Sequence, residues 1–71
     1  MKIVIADDSS LLRDRVRSLL RSINHNYLVY EATNGAEALQ LIMEKKPDLA
    51  ILDIRMPEMN GIEVLKKIRR F

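Results

Sequence analysis

Residues 49–61 constrain this chain more than any other stretch. Leu49, Ala50, Ile51 and Leu52 form an apolar run without alternation, and it stops on a carboxylate, Asp53. Such a run reads as a strand buried on both faces, which is the signature of a parallel sheet covered by helices. A loop containing Pro57 follows, and Asn60-Gly61 then opens a helical pattern. An acid at the C-terminal end of a parallel strand points into the crevice where open sheets place their ligands. Two more acids, Asp7 and Asp8, close the first apolar run at residues 3–6. Whether these three carboxylates meet decides what the chain can do.

The rest of the sequence supplies the other elements in order. After the first run, Ser9 or Ser10 can cap a helix, because a serine oxygen accepts from the free N–H groups of the first turn. Leu12, Val16, Leu19, Leu20 and Ile23 recur at helical spacing and predict one buried stripe. Arg13, Asp14, Arg17 and Arg21 fall mostly off it and read as a solvated face. Asn24, His25 and Asn26 form a loop, and the single histidine has no second ligand at a useful spacing. Residues 27–30 predict a second strand. Asn34 then caps a second helix, with Glu37 placed to return the bond and Ala36, Leu39, Ile42 and Met43 as its stripe. Lys45 and Lys46 suit the negative end of that helix, and Pro47 stops it. The third helix reuses the device: residues 34–42 and 60–68 overlay as Asn-Gly-x-Glu-x-Leu-x-x-Ile. Two independent uses of one capping solution explain this better than a duplication. Ile62, Leu65 and Ile68 are the expected third stripe, while Lys66, Lys67, Arg69 and Arg70 complement the dipole at its end.

Strands alternating with helices predict an α/β chain with a parallel sheet and right-handed crossovers. With 71 residues it forms one small domain, and its hydrophobic share of 48% is too high for disorder. The net charge of +2 is small and the basic residues are dispersed, which argues against a nucleic-acid partner. Cysteine is absent, so no disulfide framework or thiolate metal site exists, and no run approaches the length of a membrane span. The expectation is a soluble, cytoplasmic protein.

In a parallel sheet all strand C-termini share one edge, so Asp7, Asp8 and Asp53 share it too. If the first and third strands are neighbours, the acids also share a crevice. Clustered carboxylates repel unless one takes a proton or a cation sits among them. Oxygen ligands without His or Cys favour a hard ion, Mg²⁺ before Ca²⁺. Helix caps and solvated loop acids are the plain alternative for the same three residues.

Taken together, residues 4–9 (Val-Ile-Ala-Asp-Asp-Ser) and 48–61 resemble the CheY-like receiver domain of bacterial two-component response regulators, and the likeness runs the length of the chain. The resemblance implies a three-stranded parallel sheet of order 2-1-3, the (βα)3 half of a flavodoxin-like receiver fold. It implies that Asp53 is the phosphoacceptor, taking its phosphoryl group from a sensor histidine kinase. It further implies that Asp8, Asp53 and the backbone carbonyl of Arg55 bind Mg²⁺, with Asp7 acting mainly through a metal-bound water. Met56-Pro57 would shape the loop beyond the acceptor, and Gly61 would let the chain turn into the third helix. Such a protein is a phosphoryl acceptor and not a turnover enzyme.

A receiver has five strands, and this sequence supplies three. Residues 1–71 are therefore expected to be a truncated receiver domain, without the hydroxyl and lysine that the family places on the fourth and fifth strands. Phosphotransfer is then expected to be impaired. The third strand becomes an exposed edge, predicting a homodimer or larger oligomer paired through it. The competing function is a self-associating interaction module with a receiver-derived fold and no phosphotransfer. An aspartate-nucleophile phosphohydrolase fits poorly, because position 55 is Arg where that motif has a second Asp.

Overall fold

The computed structural model describes residues 1–55 and 60–68. Six elements follow in the expected order: β1 (Lys2–Ala6), α1 (Ser10–Ile23), β2 (Leu28–Ala32), α2 (Gly35–Lys45), β3 (Leu49–Leu52) and α3 (Gly61–Ile68). The three strands form one parallel sheet in the order β2-β1-β3. The second strand starts and ends slightly later than its apolar run suggests, because pairing with β1 carries it through Glu31 and Ala32.

The central strand is the core. Ile3, Val4, Ile5 and Ala6 are all buried, since β1 has a strand on each side and helices on both faces. Burying a branched side chain of this size contributes about 1.5–3 kcal/mol. Register then assigns the faces. Ile5 lies opposite Glu31 and Ile51, while Ala6 lies opposite Ala32 and Leu52. The Ala6 side packs with Ala32, Ala38, Leu41 and Leu52 against α2. On the Ile5 side, Leu12 and Val16 of α1 line an open cleft with Ile5 and Ile51.

Side-chain capping starts all three helices. The Ser9 hydroxyl accepts from the Leu12 N–H at 3.3 Å. Asn34 Oδ1 accepts from the Glu37 N–H at 2.9 Å, and Asn60 Oδ1 from the Glu63 N–H at 3.0 Å. The repeated Asn-Gly-x-Glu string is thus one capping solution used twice. Glu37 returns its bond to Thr33 and the Asn34 amide, one residue earlier than an ideal capping box. At the other end of α2, Lys46 adopts φ 48° and its N–H donates to the Ile42 carbonyl.

The helix faces differ from the sequence expectation. No residue of α1 is fully buried: Val16 and Leu20 are half-buried, while Leu12, Leu19 and Ile23 are exposed. A three-stranded sheet is narrower than the apolar arc of this helix, so one flank of the arc has no sheet beneath it. In α2 the buried positions are Gly35 and Ala38, with Ala36 and Met43 exposed. In α3 they are Gly61 and Val64, with Ile62 and Leu65 exposed. Gly35, Ala38 and Gly61 let the helix backbones approach closely, and Val64 fills the buried position one turn after Gly61. Arg69, Arg70 and the Met56-Pro57 pair lie outside the described residues.

Candidate functional site

The parallel ladder delivers the acids to one place. Beyond the last paired residues, the Asp7 N–H donates to the Ala32 carbonyl at 3.1 Å and the Asp53 N–H to the Ala6 carbonyl at 2.9 Å. Each bond extends a strand pair by one residue, and since Ala6 is opposite Leu52, Asp7 and Asp53 emerge side by side. Asp8 follows at the outer rim. One carboxylate oxygen from each of Asp7, Asp8 and Asp53 falls within a group whose members all lie within 4.8 Å of one another. Asp7 and Asp53 are half-buried and Asp8 is exposed. The three acids meet.

Local hydrogen bonds fix two of them. Asp7 Oδ1 accepts from the Ser9 N–H at 2.9 Å, and Asp53 Oδ1 from the Arg55 N–H at 2.9 Å. Each bond closes a short turn and uses one of the carboxylate's four lone-pair sites, so both oxygens can still take a ligand. Arg55 joins Asp7, Asp8, Ser9 and Asp53 around the cleft mouth. His25, by contrast, is exposed in its loop, away from this group.

The donor set is oxygen alone, from three carboxylates, with no imidazole or thiolate in the group. That chemistry suits a hard divalent cation such as Mg²⁺, which keeps several waters and needs only one or two protein carboxylates. Water can reach the site from the open side of the cleft, through the exposed Asp8.

One participant was missed by the sequence reading. Arg13, placed there on a solvated face, has a side chain only 13% exposed. Its Nε donates to Glu31 Oε1 at 3.1 Å, and its Nη1 donates to the Asp7 carbonyl at 2.6 Å. The available signal was Glu31 itself, a charge in an otherwise apolar strand on the α1 side of the sheet. Arg17 joins the same carboxylate through Nη1 at 2.8 Å and also pairs with Asp14.

Comparison with known proteins agrees with this geometry. The model of the response regulator receiver domain matches residues 3–71. The uncharacterized transcriptional regulatory protein YhcZ of Bacillus subtilis (strain 168) is 48% identical over 67 residues, covering 94% of this chain and 31% of YhcZ. The crystal structure of the response regulator domain of Thermotoga maritima CheB superposes with a TM-score of 0.90 at 35% identity, covering 99% of this chain and 52% of that one. The receiver domain of the putative response regulator NarL from Mycobacterium tuberculosis gives a TM-score of 0.87 at 41% identity, over 97% of this chain and 56% of the other. The chain therefore spans about a third of YhcZ and about half of either solved receiver domain. Among the described residues no helix is long and apolar enough to cross a membrane.

Proposed function

The chain belongs to the response regulator receiver domain family, and on that premise we propose that Asp53 accepts a phosphoryl group from the phosphohistidine of a sensor histidine kinase, in the cytoplasm. The observation that carries this reading is the convergence of Asp7, Asp8 and Asp53 at one strand edge. The Arg55 N–H holds one Asp53 oxygen, which orients the carboxylate and leaves its other oxygen as the nucleophile. That oxygen bonds to phosphorus as the phosphorus–nitrogen bond breaks, and the departing imidazole keeps the electron pair. The chain is consumed as an acceptor, one phosphoryl group per site.

Asp8 and Asp53 would hold Mg²⁺ directly with the Arg55 carbonyl, and Asp7 would act through a water. A bound Mg²⁺ supplies positive charge to the oxygens of the transferring group. Asp7 and Asp8 place two further carboxylates beside Asp53, and a bound cation would offset their repulsion of an incoming phosphoryl donor. Within these 71 residues no side chain is assigned to the hydroxyl and lysine roles of the family, so rates on this chain report the acid site alone.

Borohydride reduction tests the acceptor's position. After treatment with a small-molecule phosphoryl donor and Mg²⁺, an aspartyl phosphate is reduced to homoserine. Homoserine at position 53 is the expected result; homoserine at 7 or 8 instead, or none, would contradict the assignment.

A second reading, self-association without phosphotransfer, draws support from β3. Among the described residues β3 pairs only with β1, and Leu49 and Ile51 on it are 42% and 36% exposed. Antiparallel pairing of two such edges about a two-fold axis would cover them. Light scattering at high concentration separates the readings. A dimer that ignores Mg²⁺ favours self-association, and a monomer at all concentrations removes it.

A further inference from the structure

We propose that Arg13 is a positioning residue for the acid site, anchored by Glu31 and holding the Asp7–Asp8 peptide in the orientation that cation binding requires. The inference rests on the reading of Asp7, Asp8 and Asp53 as a divalent-cation site.

The geometry is specific. The guanidinium reaches backward from α1 and grips two elements at once, the Glu31 carboxylate of β2 and the Asp7 carbonyl at the end of β1. A planar fork can do this with fixed angles, whereas an ammonium cannot. The Asp7 carbonyl and the Asp8 N–H belong to one planar peptide, so fixing the carbonyl fixes the direction in which Asp8 leaves the strand. Asp7 is already held by its N–H to Ala32 and by its side chain to Ser9. Asp8, exposed at the rim, has no such ties among the described residues and depends on that peptide plane. Arg17 donates to the other oxygen of Glu31, so the Arg13 bond to Oε1 does not depend on it.

A positioning role and a purely electrostatic one predict opposite signs. Arg13 lines the same cleft as Asp7 and Asp53. By Coulomb's law alone, removing a nearby positive charge tightens the binding of a divalent cation. If Arg13 orients the site, removing it weakens binding despite the charge change.

The test is a Mg²⁺ titration of the whole chain, followed by backbone amide shifts at Asp7, Asp8 and Asp53, with urea unfolding run in parallel. Arg13→Ala is expected to weaken Mg²⁺ affinity about tenfold, the scale of losses when a group behind a metal ligand is removed. Arg13→Lys keeps the charge without the fork and stays weakened. Arg17→Ala removes the other Glu31 partner, at 2.8 Å, and leaves the Arg13 contact with Asp7 in place, so Mg²⁺ affinity is expected to stay within about twofold of wild type. If Arg13→Ala fails to fold, Arg13→Lys decides, since it keeps the charge, so that electrostatics alone predicts no change, while loss of the two-element grip is expected to weaken binding. Mg²⁺ affinity equal to or tighter than wild type in a folded Arg13 variant overturns the proposal. Unchanged affinity in Asp53→Asn would instead overturn the cation-site reading beneath it.

Discussion

Gly61 lies against the backbone of Asp53. Its N–H donates to the Asp53 carbonyl at 3.1 Å, and a Cβ placed on it would sit 2.9 Å from that same oxygen. None of the described glycines has positive φ, so the requirement here is space and not an unusual backbone angle. The resemblance implied that Gly61 lets the chain turn into the third helix, and what it supplies at the start of α3 is this room beside Asp53. The start of α3 is thus fastened to Asp53 itself.

Gly61→Ala must move either α3 or the end of β3, because the obstructing atoms are the Asp53 carbonyl and Leu52 Cβ. The expected cost is about 1–3 kcal/mol in urea unfolding, the range for overpacking a closed contact. A shift of Asp53 should also slow adduct formation in the folded fraction. Unchanged stability and unchanged reactivity would show that the contact is looser than described.

The burial pattern of α3 predicts an ordering that hydrophobicity alone reverses. Val64 is 0% exposed and Leu65 is 55% exposed. Val64→Ala should cost about 2 kcal/mol, and Leu65→Ala should fall within about 0.5 kcal/mol of wild type. Denaturation midpoints of the two variants decide it. A larger loss for Leu65→Ala would restore the stripe expected from spacing.

Glu37 gives a pH signature. The Thr33 hydroxyl, and then the Thr33 N–H, donate to its carboxylate and hold its pKa below the ordinary value of 4.5. Folding therefore favours the ionised form. The contribution is complete above 4.5 and is lost as pH falls through the lowered folded value. The difference in Tm between wild type and Glu37→Gln should hold at neutral pH and shrink on acidification below that point. A difference independent of pH would assign the effect to packing.

Lys46 carries the one positive φ among the described non-glycine residues, 48° at the C-terminus of α2. A left-handed conformation costs an L-residue about 1–2 kcal/mol, part of which glycine returns as chain entropy. Lys46→Gly should raise stability by roughly 0.5–1 kcal/mol in urea unfolding. A loss of stability would mean that the lysine side chain has a compensating contact.

The acid site was legible in the sequence because two apolar runs each end on Asp, and parallel strands put their ends on one edge. The caps were legible for a similar reason: Ser9, Asn34 and Asn60 act within three residues of their own position. The helix faces were not. Periodicity marks an apolar arc, but which part of the arc meets a three-stranded sheet depends on sheet width and on where Gly61 and Ala38 allow close approach. Arg13 was hidden more deeply, since its role depends on Glu31, eighteen residues away on another element. No local pattern separates it from the exposed Arg21 on the same helix.

The most direct test of the acceptor site is the intact mass of the chain after incubation with Mg²⁺ and a small-molecule phosphoryl donor. The account predicts one phosphoryl adduct that requires Mg²⁺, disappears in Asp53→Asn and is diminished in Asp8→Asn. A folded chain that forms no adduct, or an adduct that persists in Asp53→Asn, would contradict it.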